Sequence, residues 1–186
     1  MDHAKRTFIG LDRQTAKADS TPHAPPIRPP WALSETLFLD ACTGCGNCIK
    51  ACPESILLKG SADFPIVDFT DGDCTFCEAC VDSCNDDALN KLQEQPAWNH
   101  KAIAIDSCLP KKGIACQSCQ DSCEVRAITF SPRIGGPASP EINHEICNGC
   151  GACFSVCPSD AIAFTQAATI EPIVDAVNIE RRGGAL

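Results

Sequence analysis

Cys42-Thr43-Gly44-Cys45-Gly46-Asn47-Cys48-Ile49-Lys50-Ala51-Cys52-Pro53 carries four cysteines at the spacing C-x2-C-x2-C-x3-C. The same spacing returns at Cys74, Cys77, Cys80, Cys84 and at Cys147, Cys150, Cys153, Cys157. A further group, Cys108, Cys116, Cys119, Cys123, keeps the last two gaps and stretches the first to seven residues. These four runs use all 16 cysteines of the 186-residue chain. The spacing has a physical reason. Three thiolates two residues apart on a tight turn can reach three iron corners of one 4Fe-4S cube, while the fourth, carried off on a short helix, faces a neighbouring cube. Four runs therefore predict four 4Fe-4S clusters, with all sixteen cysteines as iron ligands.

Other uses of cysteine fit less well. A disulfide framework belongs to short secreted chains with a signal peptide, and no such signal is visible here. Structural zinc takes its sulfurs as two separated pairs, so that four can close a tetrahedron. Inert buried cysteines would not recur at fixed offsets in four places.

Composition points the same way. The chain is 5% aromatic, with no Tyr, one Met, 14 Pro and 12 Gly. A core built on large rings is out of reach, and bound metal that exists only in the folded state contributes folding free energy directly. The clusters are thus expected to be the core, and the apo chain to fold poorly. The formal charge is −9. Sixteen ligating thiolates subtract sixteen charges and four 2+ cores return eight, which takes the loaded chain to about −17. An acidic chain of this kind is no partner for nucleic acid, whose phosphates require a basic face.

The longest apolar stretches are strand-sized, whereas about 20 apolar residues are needed to span a bilayer, so no membrane span is expected. Lys5-Arg6-Thr7-Phe8-Ile9 faintly resembles a twin-arginine export signal, but Asp12, Arg13, Lys17 and Asp19 stand where its apolar region would be. Oxygen-sensitive clusters without an export signal predict a cytoplasmic protein. His3, His23, His100 and His144 lie on tails or between runs, and there is neither G-x-G-x-x-G nor G-x4-G-K-[ST]. No catalytic constellation is visible, so the chain reads as a cofactor carrier and not an enzyme.

The repeats set the organisation. Intervals of 21, 23 and 23 residues separate successive runs, so spacing alone leaves their pairing open. Cys52-Pro53 and Cys157-Pro158 end the outer runs, while Asn85 and Glu124 follow the inner ones, which suggests a mirror arrangement. Pairing the middle two runs would strand the outer ones. The fold class expected is α+β: two tandem bacterial-type dicluster ferredoxin modules, each a pair of β-α-β repeats, at 34–96 and 97–170. An extended N-terminal arm, 1–33, precedes them, and a tail, 171–186, follows. If adjacent runs pair, site one takes Cys42, Cys45, Cys48 and Cys84, and site two takes Cys74, Cys77, Cys80 and Cys52. Site three then takes Cys108, Cys116, Cys119 and Cys157, and site four takes Cys147, Cys150, Cys153 and Cys123.

Short β-type segments are expected before the runs, at 36–39, 66–69, 102–105 and 141–143, and after them, at 55–58, 88–92, 127–130 and 161–164. The last cysteine of each run is placed on a short helical turn. Gly44, Gly46, Gly149 and Gly151 suit the tight turns between ligands, and Ile49, Val81 and Phe154 are expected to shield the clusters. Pro22, Pro25, Pro26, Pro29 and Pro30 make residues 20–31 an extended segment ending at Trp31. It serves either as a plain linker or as a docking arm, for a partner or for the chain's own second module, with Trp31 as anchor. On either reading, removal of 1–33 leaves the iron in place.

Ile27-Arg28-Pro29-Pro30-Trp31, Asp73-Cys74-Thr75-Phe76-Cys77, the third run Cys116-Gln117-Ser118-Cys119-Gln120-Asp121-Ser122-Cys123-Glu124 and the fourth run Cys147-Asn148-Gly149-Cys150-Gly151-Ala152-Cys153 resemble the NapF family. These are the ferredoxin-type accessory proteins of the periplasmic nitrate reductase system. The resemblance covers roughly residues 5–165. It implies a cytoplasmic protein with four 4Fe-4S clusters that contacts the molybdenum-containing catalytic subunit of periplasmic nitrate reductase before export and assists its iron-sulfur assembly. The rival function is an electron-transfer polyferredoxin subunit of a respiratory or reductase complex.

Overall fold

The computed structural model describes residues 26–91 and 95–166. Within them the chain runs α1 (Glu35–Ala41), α2 (Asn47–Ala51), β1 (Leu57–Lys59), β2 (Pro65–Val67), α3 (Ala79–Asp82), β3 (His100–Ala104), α4 (Ser118–Asp121), β4 (Ile128–Arg133), β5 (Gly136–Ile142), α5 (Ala152–Ser155) and β6 (Ile162–Gln166). It is an α+β fold of two tandem dicluster ferredoxin modules. Among the described residues every sheet has two antiparallel strands: β1 with β2, β3 with β6, and β4 with β5.

In the second module β3 precedes the third run and pairs with β6, which follows the fourth, so the module closes on itself: Ala102 faces Phe164 and Ala104 faces Ile162. The inner hairpin β4–β5 links the two runs, with Ile128 opposite Ile142. The first module repeats the scheme in reduced form. Its inner hairpin is three residues on three, and its outer pair shrinks to one bridge between Ala32 and Leu89. The strand expected over 88–92 is therefore only this bridge among the described residues.

The strand expected at 36–39 is instead the helix α1. Phe38 N–H donates to Ser34 C=O at 2.8 Å and Cys42 N–H to Phe38 C=O at 2.9 Å. Phe38 is fully buried, while Leu37 and Leu39 are 56% and 40% exposed. A four-residue apolar run cannot separate that one-sided helix from a strand. The helix ends at Cys42 and so positions the first ligand of the first run.

Residues 26–33 do not stand off as an arm. Ile27 C=O accepts from Val67 N–H, extending the edge of β2, and Leu33 N–H donates to Ala88 C=O at 3.1 Å. Trp31 exchanges backbone bonds with Ala97 and Asn90, Trp98 Nε1–H donates to Arg28 C=O at 2.9 Å, and Pro29, Pro30 and Trp31 are buried. Arg28 is clamped onto Glu35 and lies over the rings of Phe38 and Phe64 at 5.0 and 5.7 Å. Residues 26–33 thus pack into the first module's core, across the division placed at residue 33. The remainder of the basic, proline-rich segment, and the tail beyond 166, lie outside the described residues.

Two cores follow from the two modules, one around Phe38, Ile56, Phe69, Leu89 and Trp98, the other around Ala102, Ala127, Ile128 and Ile162. Phe154 and Phe164 pack against both.

Candidate metal centres

Each run is built to turn. Gly44 and Gly46 in the first run, and Gly149 and Gly151 in the fourth, have φ between 67 and 91°, the left-handed region that L side chains avoid. In the second run Phe76 and Glu78 occupy the same two places at φ 56 and 66°, a cost of about 1–2 kcal/mol each that packing must offset. The third run escapes the requirement. Its long first gap folds as a 3-10 turn at Pro110–Lys112 closed by Gly113 at φ 86°, and Gln117 has an ordinary φ of −138°.

After the turn comes a short helix that holds the third cysteine of the run: Cys48 on α2, Cys80 on α3, Cys119 on α4 and Cys153 on α5. The last cysteine, expected on the helical turn itself, lies just past its end. Cys84, Cys123 and Cys157 N–H groups close back onto Val81, Gln120 and Phe154. Third and fourth cysteines are four residues apart, which along a helix is about 6 Å, enough for them to address different cavities.

Four cavities result. The first is lined by Cys42, Cys45, Cys48 and Cys84, the second by Cys74, Cys77, Cys80 and Cys52. Another is lined by Cys108, Cys116, Cys119 and Cys157, and the last by Cys147, Cys150, Cys153 and Cys123. Three sulfurs come from one run and one from the adjacent run in every case. The four are alike in size, which suits four occupants of one kind. Among the described residues no group of three or more His, Cys, Asp or Glu could hold a single metal ion. The cysteines ring a volume; they do not converge on a point.

The electrostatics suit a cationic iron core. Burial above all pushes the thiols up, to about 11 for Cys48, Cys74 and Cys119 and to about 12 for Cys80 and Cys153. Thiolates in such walls need the countercharge that iron supplies. Backbone amides add to it: Phe76 N–H reaches Cys74 Sγ at 3.4 Å, Ala127 N–H reaches Cys123 Sγ at 3.3 Å and Ala161 N–H reaches Cys157 Sγ at 3.2 Å. The donor set therefore fits 4Fe-4S groups, whose potentials respond to such hydrogen bonds and to burial.

The apolar walls differ from those expected. Ile49, Val81 and Phe154 are half-buried core neighbours, not lining residues. Pro30, Trp31, Ile56, Leu57 and Phe76 line the second cavity; Phe130, Pro140 and Ile162 the third; Ile128, Ile142 and Phe164 the fourth. Apart from Phe76 and Ile56, they come from the strands that flank the runs, Leu57 on β1, Ile128 and Phe130 on β4, Pro140 and Ile142 on β5, and Ile162 and Phe164 on β6, or from the N-terminal segment. His100, set aside as a lone histidine, is buried between Trp98, Phe164 and Phe69, with Nε2 2.8 Å from Gly149 C=O. Its surroundings hold it below the ordinary value of 6.5, chiefly through loss of water, with Lys101 adding to the effect and the Gly149 contact opposing it.

Comparison with known proteins places this geometry. A family described as 4Fe-4S dicluster domain matches residues 33–89, and a second family of the same description matches residues 112–161. The chain is 43% identical to "Ferredoxin-type protein NapF" of Escherichia coli K12 over 136 residues, 73% of this chain and 82% of that protein. It is 46% identical to the Haemophilus influenzae protein of the same name over 140 residues, 75% of this chain and 79% of that protein. "Ferredoxin-type protein NapG" of Escherichia coli K12 is 32% identical over 169 residues, 80% of this chain and 71% of that protein.

Proposed function

The chain belongs to the NapF family of ferredoxin-type proteins, and on that footing we propose that it carries four 4Fe-4S clusters and assists iron-sulfur assembly in the catalytic subunit of periplasmic nitrate reductase. The partner is met in the cytoplasm, before export, and the sixteen cysteines are the iron ligands in the four groups that line the cavities. The observation that carries the reading is the crossed set of four like cavities, each taking three cysteines from one run and one from its neighbour. Sixteen thiols gathered in four sets offer clusters, which carry the chemistry, while the protein supplies binding and docking surfaces. Among the described residues no helix is long and apolar enough to cross a membrane.

Anaerobic reconstitution tests the cofactor part: about sixteen iron and sixteen sulfide per chain are expected, and about eight iron, or zinc in place of iron, would overturn it. A deletion strain tests the role. Exported nitrate reductase that lacks its own cluster supports assembly. Complete enzyme that is starved of electrons supports the second reading, an electron-transfer polyferredoxin, which is favoured by one contact: the backbone bond between the second and fourth sites.

A further inference from the structure

Two of the four sites touch across the module boundary. Cys74 N–H donates to Cys150 C=O at 2.8 Å. Cys74 lines the second cavity and Cys150 the fourth. Among the described residues this is the one backbone hydrogen bond that joins cysteines of different modules. Around it the modules are locked together. Gly151 lies so close to the ring of Phe69 that a Cβ there would come within 2.1 Å of it. Phe69 in turn stands 5.1 Å from Phe164, which lines the fourth cavity. Phe76, which lines the second, stands 5.8 Å from Trp98, and Trp98 4.9 Å from His100. Such ring pairs favour edge-on and tilted contacts of this kind, and Phe69–Phe164 and Phe76–Trp98 join residues of the two modules. None of Phe69, Trp98, His100 and Phe164 lines the first or third cavity.

Inside each module the neighbours are set by the short helices. Cys48 and Cys52 lead from the first cavity to the second, and Cys119 and Cys123 from the third to the fourth. We propose that the four sites lie in the order one, two, four, three, and that sites two and four form an interacting pair across the module boundary, so that charge added at either is felt at the other. The inference rests on the reading that each cavity holds a 4Fe-4S cluster. Its physical basis is that two anionic centres close together in a poorly hydrated interior repel strongly when either gains charge.

Two double variants of the full chain separate the pairs. Cys45→Ser with Cys116→Ser removes one ligand each from sites one and three and leaves two and four intact; Cys77→Ser with Cys153→Ser leaves one and three. Each is reconstituted anaerobically, checked for about eight iron per chain, reduced with dithionite and examined by electron paramagnetic resonance. The first variant is expected to show split or broadened signals from interacting spins, the second two simple independent signals. Independent signals in the first, or interaction in the second, overturn the order. Iron far below sixteen in the unaltered chain would instead defeat the four-cluster reading itself. Hydrogen exchange on the loaded unaltered chain and on Gly151→Ala gives an answer that does not need the ligand variants. Loss of protection confined to the peptide holding Cys74 and its partner around Cys150 supports the junction, and unchanged protection in Gly151→Ala overturns it.

Discussion

Replacing Trp31 by Ala asks whether the proline-rich segment belongs to the iron-holding core. The side chain is 8% exposed, lines the second cavity, meets the Phe76 ring edge-on at 6.4 Å and carries Lys91 Nζ 5.5 Å above its own ring. Its backbone bonds to Ala97 and Asn90 survive the change, so only the ring is lost. Large-to-small changes of a buried Trp cost about 3–5 kcal/mol, against a net domain stability of about 5–15 kcal/mol. The damage falls first on site two, whose wall the ring forms. Iron per chain is therefore expected to drop from about sixteen toward about twelve, with a lower urea midpoint for loss of the cluster absorbance. Leu37→Ala is the control: Leu37 is 56% exposed, and the change is expected to stay within about 0.5 kcal/mol. Wild-type iron and midpoint in Trp31→Ala, together with lost binding to the catalytic subunit, would refute the core assignment and return Trp31 to the role of an outward anchor.

Three further outcomes follow from the same geometry. Cys84→Ala is expected to strip site one and spare site two, because Cys84 lines the first cavity although it belongs to the second run; Mössbauer spectra with the reverse pattern would mean that each run closes its own cube. Gly46→Ala has φ 73° and nothing within 4 Å of the new Cβ, so its cost is backbone strain alone, about 1–2 kcal/mol. Gly151→Ala adds the collision with Phe69, and equal unfolding midpoints for the two would argue against close packing of the modules. His100 is held below 6.5 by burial among Phe69, Trp98 and Phe164, with Lys101 its charged neighbour. The unfolded chain therefore binds the proton first, and the stability of this arrangement is present above pH 6.5 and lost as pH falls below it. The stability gap between the unaltered chain and His100→Phe is expected to narrow on acidification, and a gap independent of pH would count against the buried neutral imidazole.

The sequence alone determined the four cysteine runs, the 4Fe-4S chemistry and the tandem ferredoxin modules, because ligand spacing within a run is local geometry that a few turn residues enforce. Gly44, Gly46, Gly149 and Gly151 were legible for the same reason, since their left-handed φ answers to the turn in which they sit. Phe76 and Glu78 in equivalent places were not, because nothing in their residue types announces a positive φ that the surrounding packing imposes. The helix at Glu35–Ala41 escaped as well: one buried residue, Phe38, is too short a period to read. What only the tertiary structure decided is everything that joins distant segments. It brings Cys84 to the first cavity and Cys52 to the second, seats Trp31 against Phe76, and sets Cys74 against Cys150. Such contacts depend on how two hydrophobic faces close over one another, and the loop entropy of closing them is repaid by packing and bonds that no single stretch of chain contains.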